Sequence, residues 1–365
     1  MQGPMSMLKR QISYVDAIQE ALDQSMAKDE RVILIGEGVP DPKAIFNSTL
    51  GLQEKYGVDR VFDMPLSENG VTGACIGAAI SGMRPVMIHQ RIDFALLSLD
   101  QIINNAAKWH YMFNGKSNVP LVIRMIIGRG WGQGPQHSQS LQALFALIPG
   151  LKVVMPTTAH DAKGMMVSAI NDENPVIFLE HRWLHPVIDA VPESIYEVPL
   201  DTAKVLCEGK DITIATFSYM TIEALIASRA LLSIMGVSVE LIDMRSVRPL
   251  DSQTVIDSVK KTGRLIVADT AHKTGSIAAE LISQVVEAAF KSFKAAPIRV
   301  CSPDFPTPTA PSMTKDYYPT PLTIAEAVLK MLRKDRKTKS YQELVNAITR
   351  QGMHDIPNRE FKGPF

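Results

Sequence analysis

Short apolar runs of strand length recur along the chain and alternate with segments whose apolar residues fall on one helical face. The stretch SYVDAIQEALDQSMAKDE places Ile18, Leu22 and Met26 four residues apart, with Ser13 and Asp16 at capping-box spacing, and predicts an amphipathic helix. RVILIGEGV follows as a continuous apolar run ending in glycines, the pattern of a strand buried on both faces. Similar runs return at RPVMIH, VPLVIRMII, LKVVMP and NPVIFLE, with helical patterns over 97–113 and 160–170 between them. Alternation of this kind predicts an α/β fold built on a mostly parallel sheet with helices on both faces.

Between 181 and 203 the period is lost in HRWLHPVIDAVPESIYEVPLDTA, and a domain boundary is expected there. The alternation then restarts: DITIATFS, a helix over 220–235, VSVELIDM, a helix over 252–261, RLIVAD, a helix over 277–289, and IRVCS. DFPTPTAPSMTKDYYPTP is too proline-rich for regular structure, and helices are expected over 322–332 and 340–349 around the exposed basic linker RKDRKTK. The expected division is therefore 1–190, 191–335 and a C-terminal extension, 336–365.

Composition narrows the classes. The length of 365 residues suits two domains of roughly 150 to 200 residues. Lys plus Arg equals Asp plus Glu at 38 each, so no overall field recruits nucleic acid or an anionic membrane. No apolar run approaches the roughly 18 residues of a membrane span, and MQGPMSMLKRQ has no secretory pattern, so a cytoplasmic protein is expected. Cys75, Cys207 and Cys301 lie too far apart in sequence for a zinc or redox CxxC pair.

Three stretches can carry chemistry. In MPLSENGVTGACIGAAISGMRP, Glu68 opens a helix of small residues that Ser67 is placed to cap. A first-turn carboxylate is stabilised by the helix dipole, which alone explains most such glutamates. Gly70, Gly73, Gly77 and Gly82 give that helix little stability of its own, so close approach to something else is the competing reading. GRGWGQGPQHSQ lacks both the Walker ending and GxGxxG spacing, and reads as a loop at a strand's carboxyl end carrying His137. In HQRIDFALLSLDQIINNAAKWHYM, Phe94 reads by itself as core and Asp100 as helix surface.

Taken in order, DERVILIGEGV, KYGVDRVFDMPLSENG, GAAISGMRPV, LDQIINNAAKWHYM, QHSQS, PGLKVVMP, DAKGMMVSAINDENPVIFLE, VELIDMRSVRPLD and DYYPT carry a resemblance running from about residue 12 to 332. The chain resembles the beta subunit of the thiamine-diphosphate-dependent 2-oxo acid dehydrogenases of the pyruvate and branched-chain type, and more broadly the transketolase family. The resemblance implies a pyrimidine-binding domain followed by a transketolase C-terminal-like domain. It implies that Glu68 meets a ring nitrogen of the cofactor's aminopyrimidine and favours the tautomer that deprotonates the thiazolium carbon. For that role Glu68 needs a raised pKa, which an apolar pocket provides. Phe94 matches the aromatic that stacks on the pyrimidine, Gln90 lies on its approach, and His137 matches the histidine near substrate and acyl acceptor. Leu121, Ala169, Asp172 and Asn174 match positions whose backbone oxygens surround a potassium ion in some relatives.

The chain contains no Gly-Asp-Gly, the motif that holds the diphosphate through magnesium. A separate alpha subunit carrying that site is therefore implied, in a heterotetramer of two alpha and two beta chains. Decarboxylation of a 2-oxo acid with transfer of the acyl group to a lipoyl arm of an acyltransferase core is the expected function. The alternatives are a stand-alone two-subunit transketolase-like enzyme and a catalytically silent assembly subunit, against which Glu68, Phe94 and His137 argue. His89, Gln90 and Arg91 make the approach to Phe94 unusually polar, and Arg91 faces either an anionic or hydroxylated substrate or the partner subunit. The extension after 335 is able to block or replace docking to an acyltransferase core.

Overall fold

The computed structural model describes residues 10–43, 45–128 and 132–349. In its first half the alternation is realised as α1 (Tyr14–Lys28), β1 (Val32–Gly36), β2 (Val61–Phe62), α2 (Glu68–Ile80), β3 (Arg84–His89), α3 (Ile92–Ala95), β4 (Val122–Ile127), β5 (Lys152–Val154), α4 (Ala159–Asn171) and β6 (Val176–His181). Ser13 caps α1 by accepting from the Asp16 amide, while its hydroxyl bonds the Asp16 carboxylate. The apolar side chains of α1 pack with those of α4 on one face of the sheet. Alternate residues of β3 and β4, including Met87 and Ile123, enter a second core on the other face.

The second half supplies β7 (Lys204–Cys207), β8 (Ile212–Thr216), α5 (Tyr219–Met235), β9 (Val239–Asp243), β10 (Ser246–Arg248), α6 (Ser252–Thr262), β11 (Leu265–His272), α7 (Ile277–Ala289), β12 (Ile298–Ser302), α8 (Pro321–Met331) and α9 (Lys339–Ile348). Its sheet has the order β12-β11-β8-β9-β7, parallel apart from the edge strand β7. The first sheet has the order β10-β5-β6-β4-β3-β1-β2. Its outer strand β10 comes from the second half and pairs antiparallel with β5. The core behind β3 and β4 is continuous with that beneath β8 and β9, reaching Phe217 and Ile242. The basic linker is exposed as expected, and α9 folds back so that Leu344 and Ile348 join the core beside α5 and α8.

Two expectations need correction. The segment 97–113 is not one helix: a 3-10 turn (Leu96–Ser98) and a π turn (Gln101–Ala106) precede a short α-helix (Ala107–Met112). Packing against the small residues of α2 sets that path, since a methyl group at Gly73 would lie 3.3 Å from the Gln101 side-chain oxygen. The proline-rich segment after 303 also holds one helical turn, Pro311–Thr314, with proline at its first position where no amide is needed. The terminal extension is described only to 349, so its remainder, 350–365, lies outside the described residues.

A full ion pair lies inside the first sheet. Arg124 of β4 and Glu180 of β6 are both fully buried, with Arg124 Nη2 donating to Glu180 Oε2 at 3.0 Å and to Ser48 Oγ at 2.8 Å. Arg124 and the nearby His185 outweigh desolvation and hold the Glu180 carboxyl down at about 2. His89, His181 and His185 are held neutral, chiefly by burial, with pKa values lowered to about 4, 3 and 4.

Each of these histidines binds a proton near pH 6.5 once unfolded, so acidification favours the unfolded chain between about pH 6.5 and about pH 4. Stability should fall there by up to about 1.4 kcal/mol per pH unit for each histidine, and Glu180 extends the loss from about 4.5 towards about 2. Urea midpoints measured from about pH 7.5 down to about pH 5 should therefore decline steadily. An unchanged midpoint would mean that the histidines are not buried neutral.

Candidate active site

Polar side chains gather where β1, β3 and β4 run out at their carboxyl ends, the position at which parallel sheets bind ligands. Glu37 follows β1, Gln90 and Arg91 follow β3, and Gly128 follows β4. Two glycines allow this convergence. A methyl group at Gly36 would come within 2.3 Å of the Ile88 carbonyl oxygen, and one at Gly128 (φ 69°) within 2.3 Å of His181 Nε2.

Glu68 occupies the first turn of α2 and is 7% exposed. Ser67 stands at the N-cap position but its side chain accepts no capping bond, contrary to expectation. Its hydroxyl oxygen instead lies toward Gly70, where a methyl group would come within 2.9 Å. The turn is tied down from inside by Thr72, whose hydroxyl lies 2.7 Å from the Glu68 carbonyl oxygen and 2.9 Å from Ser98 Oγ. The Glu68 carboxylate accepts no hydrogen bond among the described residues, and it faces a second acid. Burial, then the charges of Glu68 and Asp63, raise the pKa of Glu37. One Glu37 oxygen is buried without a partner, and the Glu37 carbonyl accepts from Gln90 Nε2 at 3.1 Å. The negative charges of Glu68 and Asp63 thus add to burial in favouring the protonated form of Glu37.

Gln90, Phe94 and His137 line one cavity of about 450 Å³. His137 ends the 3-10 turn Pro135–His137 and meets Phe94 edge to face, with ring centroids 5.4 Å apart. Asp93 and Gln139 join the two elements, Gln139 Nε2 donating to Asp93 Oδ1 at 2.7 Å. Glu68 does not line this cavity. Its charge acts on Glu37, whose carbonyl accepts from the cavity-lining Gln90.

The sequence reading passed over Glu37, Asp93, Gln139 and Phe46. Glu37 had a usable signal, an acid directly after an apolar parallel strand. Phe46 had none, because it enters the cavity wall through a left-handed turn at Ile45, Phe46 and Asn47 (φ 45°, 58° and 73°).

Of the four residues matched to a potassium position, three gather at the end of α4 and the fourth, Leu121, directly precedes β4. The Leu121 carbonyl accepts from the Val176 amide at 2.9 Å and that of Ala169 from the Asp172 amide at 3.3 Å. Arg84 donates to the Asp172 carbonyl at 3.1 Å, while the Asp172 carboxylate accepts from the Asn174 amide at 2.9 Å and pairs with Lys152. Fixed positive charge thus already meets the carboxyl end of this helix, and second lone pairs remain on its carbonyls.

Residues 10–187 match the family described as transketolase, pyrimidine binding domain, and residues 201–324 match transketolase, C-terminal domain. The acetoin:2,6-dichlorophenolindophenol oxidoreductase subunit beta of Cupriavidus necator is 43% identical over 336 residues, covering 89% of this chain and 99% of that protein. The pyruvate dehydrogenase E1 component subunit beta of Rickettsia felis is 39% identical, covering 88% and 98%. Among solved structures, an inactive beta4 tetramer of a split gene transketolase superposes with a TM-score of 0.69 at 22% identity, over 88% of this chain and 98% of that one, which speaks to the fold alone. The chain therefore belongs to the beta subunits of the thiamine-diphosphate-dependent 2-oxo acid dehydrogenase family, within the transketolase-like enzymes.

Proposed function

We propose that this chain is the pyrimidine-activating half of an active site completed by an alpha subunit, and that Glu68 is its proton-handling residue. The observation carrying the reading is a carboxylate, 7% exposed, whose hydrogen-bonding capacity is left open beside a second acid of raised pKa. A ring nitrogen of an aminopyrimidine suits it, so the residues present fit the family's cofactor. When bound, thiamine diphosphate supplies an acidic thiazolium carbon that attacks a ketone and holds the electrons left by departing carbon dioxide.

The chain's own residues orient and tune. Glu68 presents its carboxyl to the ring nitrogen, and its charge, after burial, raises the pKa of Glu37. Phe94 offers its ring to the pyrimidine, and Gln90 sets the floor beside it through Glu37. His137, half-buried and held edge-on against Phe94, is placed to move a proton at the substrate's oxygen. The diphosphate and magnesium fall to the alpha subunit.

The rest of the reading follows. Residues 1–190 act on the cofactor and 191–335 on assembly, and the described part of the extension, 336–349, packs on the second domain through Leu344 and Ile348. Two alpha and two beta chains assemble in the cytoplasm, with Gly70, Gly73, Ala74 and Gly77 of α2 and the exposed Leu66, Leu97 and Tyr111 available for subunit contact. A lipoyl acyltransferase core takes the acyl group. Potassium, when bound, would be held by the carbonyls of Leu121, Ala169, Asp172 and Asn174.

In the reconstituted pair, Glu68→Gln should lower dye-linked decarboxylation by roughly 10²- to 10⁴-fold while the complex still elutes intact on gel filtration. Undiminished turnover would remove Glu68 from the mechanism. Calorimetric titration of the isolated chain with thiamine diphosphate and magnesium should give no heat of binding; tight metal-dependent binding would show that no alpha subunit is needed. Replacing tetramethylammonium with potassium at constant ionic strength should raise the melting temperature of the chain, and equal values would exclude the potassium position.

A further inference from the structure

The cavity beside Phe94 carries positive charge that the chemistry above does not use. Arg91 follows β3 at 3% exposure, lines the cavity, and has no carboxylate within ion-pairing distance among the described residues. Its guanidinium donates to the Gly128 carbonyl at 2.9 Å and to the Gln133 side chain. Asp93 is the acid whose field reaches it, and one oxygen of Asp93 is already committed to Gln139. A second guanidinium packs on the lining residue Phe46. Arg182 lies 4.4 Å and Arg91 5.6 Å from the centroid of the Phe46 ring. These two cations repel, and burial together with Arg182 lowers the pKa of Arg91 to about 10, which leaves it charged at neutral pH. Lys43 adds a third positive group to the lining and Asp41 a single negative one.

The wall itself is held in an unfavourable conformation. Ile45, Phe46 and Asn47 are all left-handed, and such geometry in a β-branched residue persists only where the surroundings impose it. The buried Ser48 imposes it here, since its hydroxyl donates to the Ile45 carbonyl at 2.8 Å and accepts from Arg124. The turn seats an aromatic ring against two guanidinia at the edge of a roomy cavity. A buried guanidinium such as that of Arg91 is stabilised by an anion that enters between it and solvent.

We infer that this cavity is an anion subsite in which Arg91, aided by Lys43, takes a second anionic group on the substrate, beyond the carboxylate that the reaction removes. The inference rests on the proposed function and narrows its substrate to 2-oxo acids with a charged side chain. A carboxylate and a phosphate share the recognising chemistry.

The test uses the complete alpha-beta complex with 2,6-dichlorophenolindophenol as electron acceptor and three substrates: 2-oxobutanoate, 2-oxoglutarate and 3-phosphonopyruvate. The wild-type complex should favour at least one anionic substrate over 2-oxobutanoate by about tenfold or more in kcat/KM. The favoured arm tells carboxylate from phosphonate. Arg91→Met should lower that ratio by about 10- to 100-fold, mainly through KM, and Arg91→Lys should recover part of it. If Arg91 only braces the loop, all three substrates decline together and the ratio holds, which overturns the inference. A wild-type complex without preference for either anion overturns it as well, while leaving the role of Glu68 standing. Absence of turnover with every 2-oxo acid would defeat the proposed function itself and the subsite with it.

Discussion

Everything at the carboxyl edge of the first sheet depends on the pairing of Arg124 with Glu180. Two full charges in adjacent central strands have no water to solvate them, so each must be met by the other and by fixed polar groups. The consequences spread outward. Arg124 reaches Ser48 and through it fixes the turn that carries Phe46 into the cavity wall. Glu180 lies 3.5 Å from His185 Nε2, and its chain neighbour His181 fills the space that forbids a side chain at Gly128. An apolar pair of similar volume at these two positions could stabilise the sheet as well, but it would offer Ser48 nothing to bond. The ion pair is thus better understood as an organiser of the site than as a source of stability.

The strands were legible because parallel strands covered on both faces must be apolar throughout, and VILIG, RPVMIH and VIRMII say so directly. The capped helices α1 and α4 were legible for a similar local reason. What escaped was set by distant contacts. The π turn at Gln101–Ala106 answers to the glycines of α2, and strand β10 is only three residues long. Arg124 was visible as a lone charge within an apolar run, yet nothing local identifies a partner 56 residues further on.

The site divides along the same line. Glu68, Phe94 and His137 were picked out through the resemblance and Gln90 as a departure from it, and three of the four share a cavity. Glu68 lies outside it and acts by its charge on Glu37, which no periodicity singles out. The loop bearing His137 is joined to the turn bearing Phe94 by side chains of modest appearance in the sequence, Asp93 and Gln139. Residue types that hydrogen-bond anywhere carry little positional information until the fold has chosen their neighbours.

Strand β10 has an implication for synthesis. Its partner β5 is made almost a hundred residues earlier, so on the ribosome the outer edge of the first sheet waits, unpaired, until residue 248 has cleared the exit tunnel. An open strand edge is a template for misassembly with other nascent chains. The two halves consequently mature as one unit: severing the polypeptide near residue 200 would strand the first sheet with a permanently raw margin, and any holdase acting on the nascent chain would find its target there.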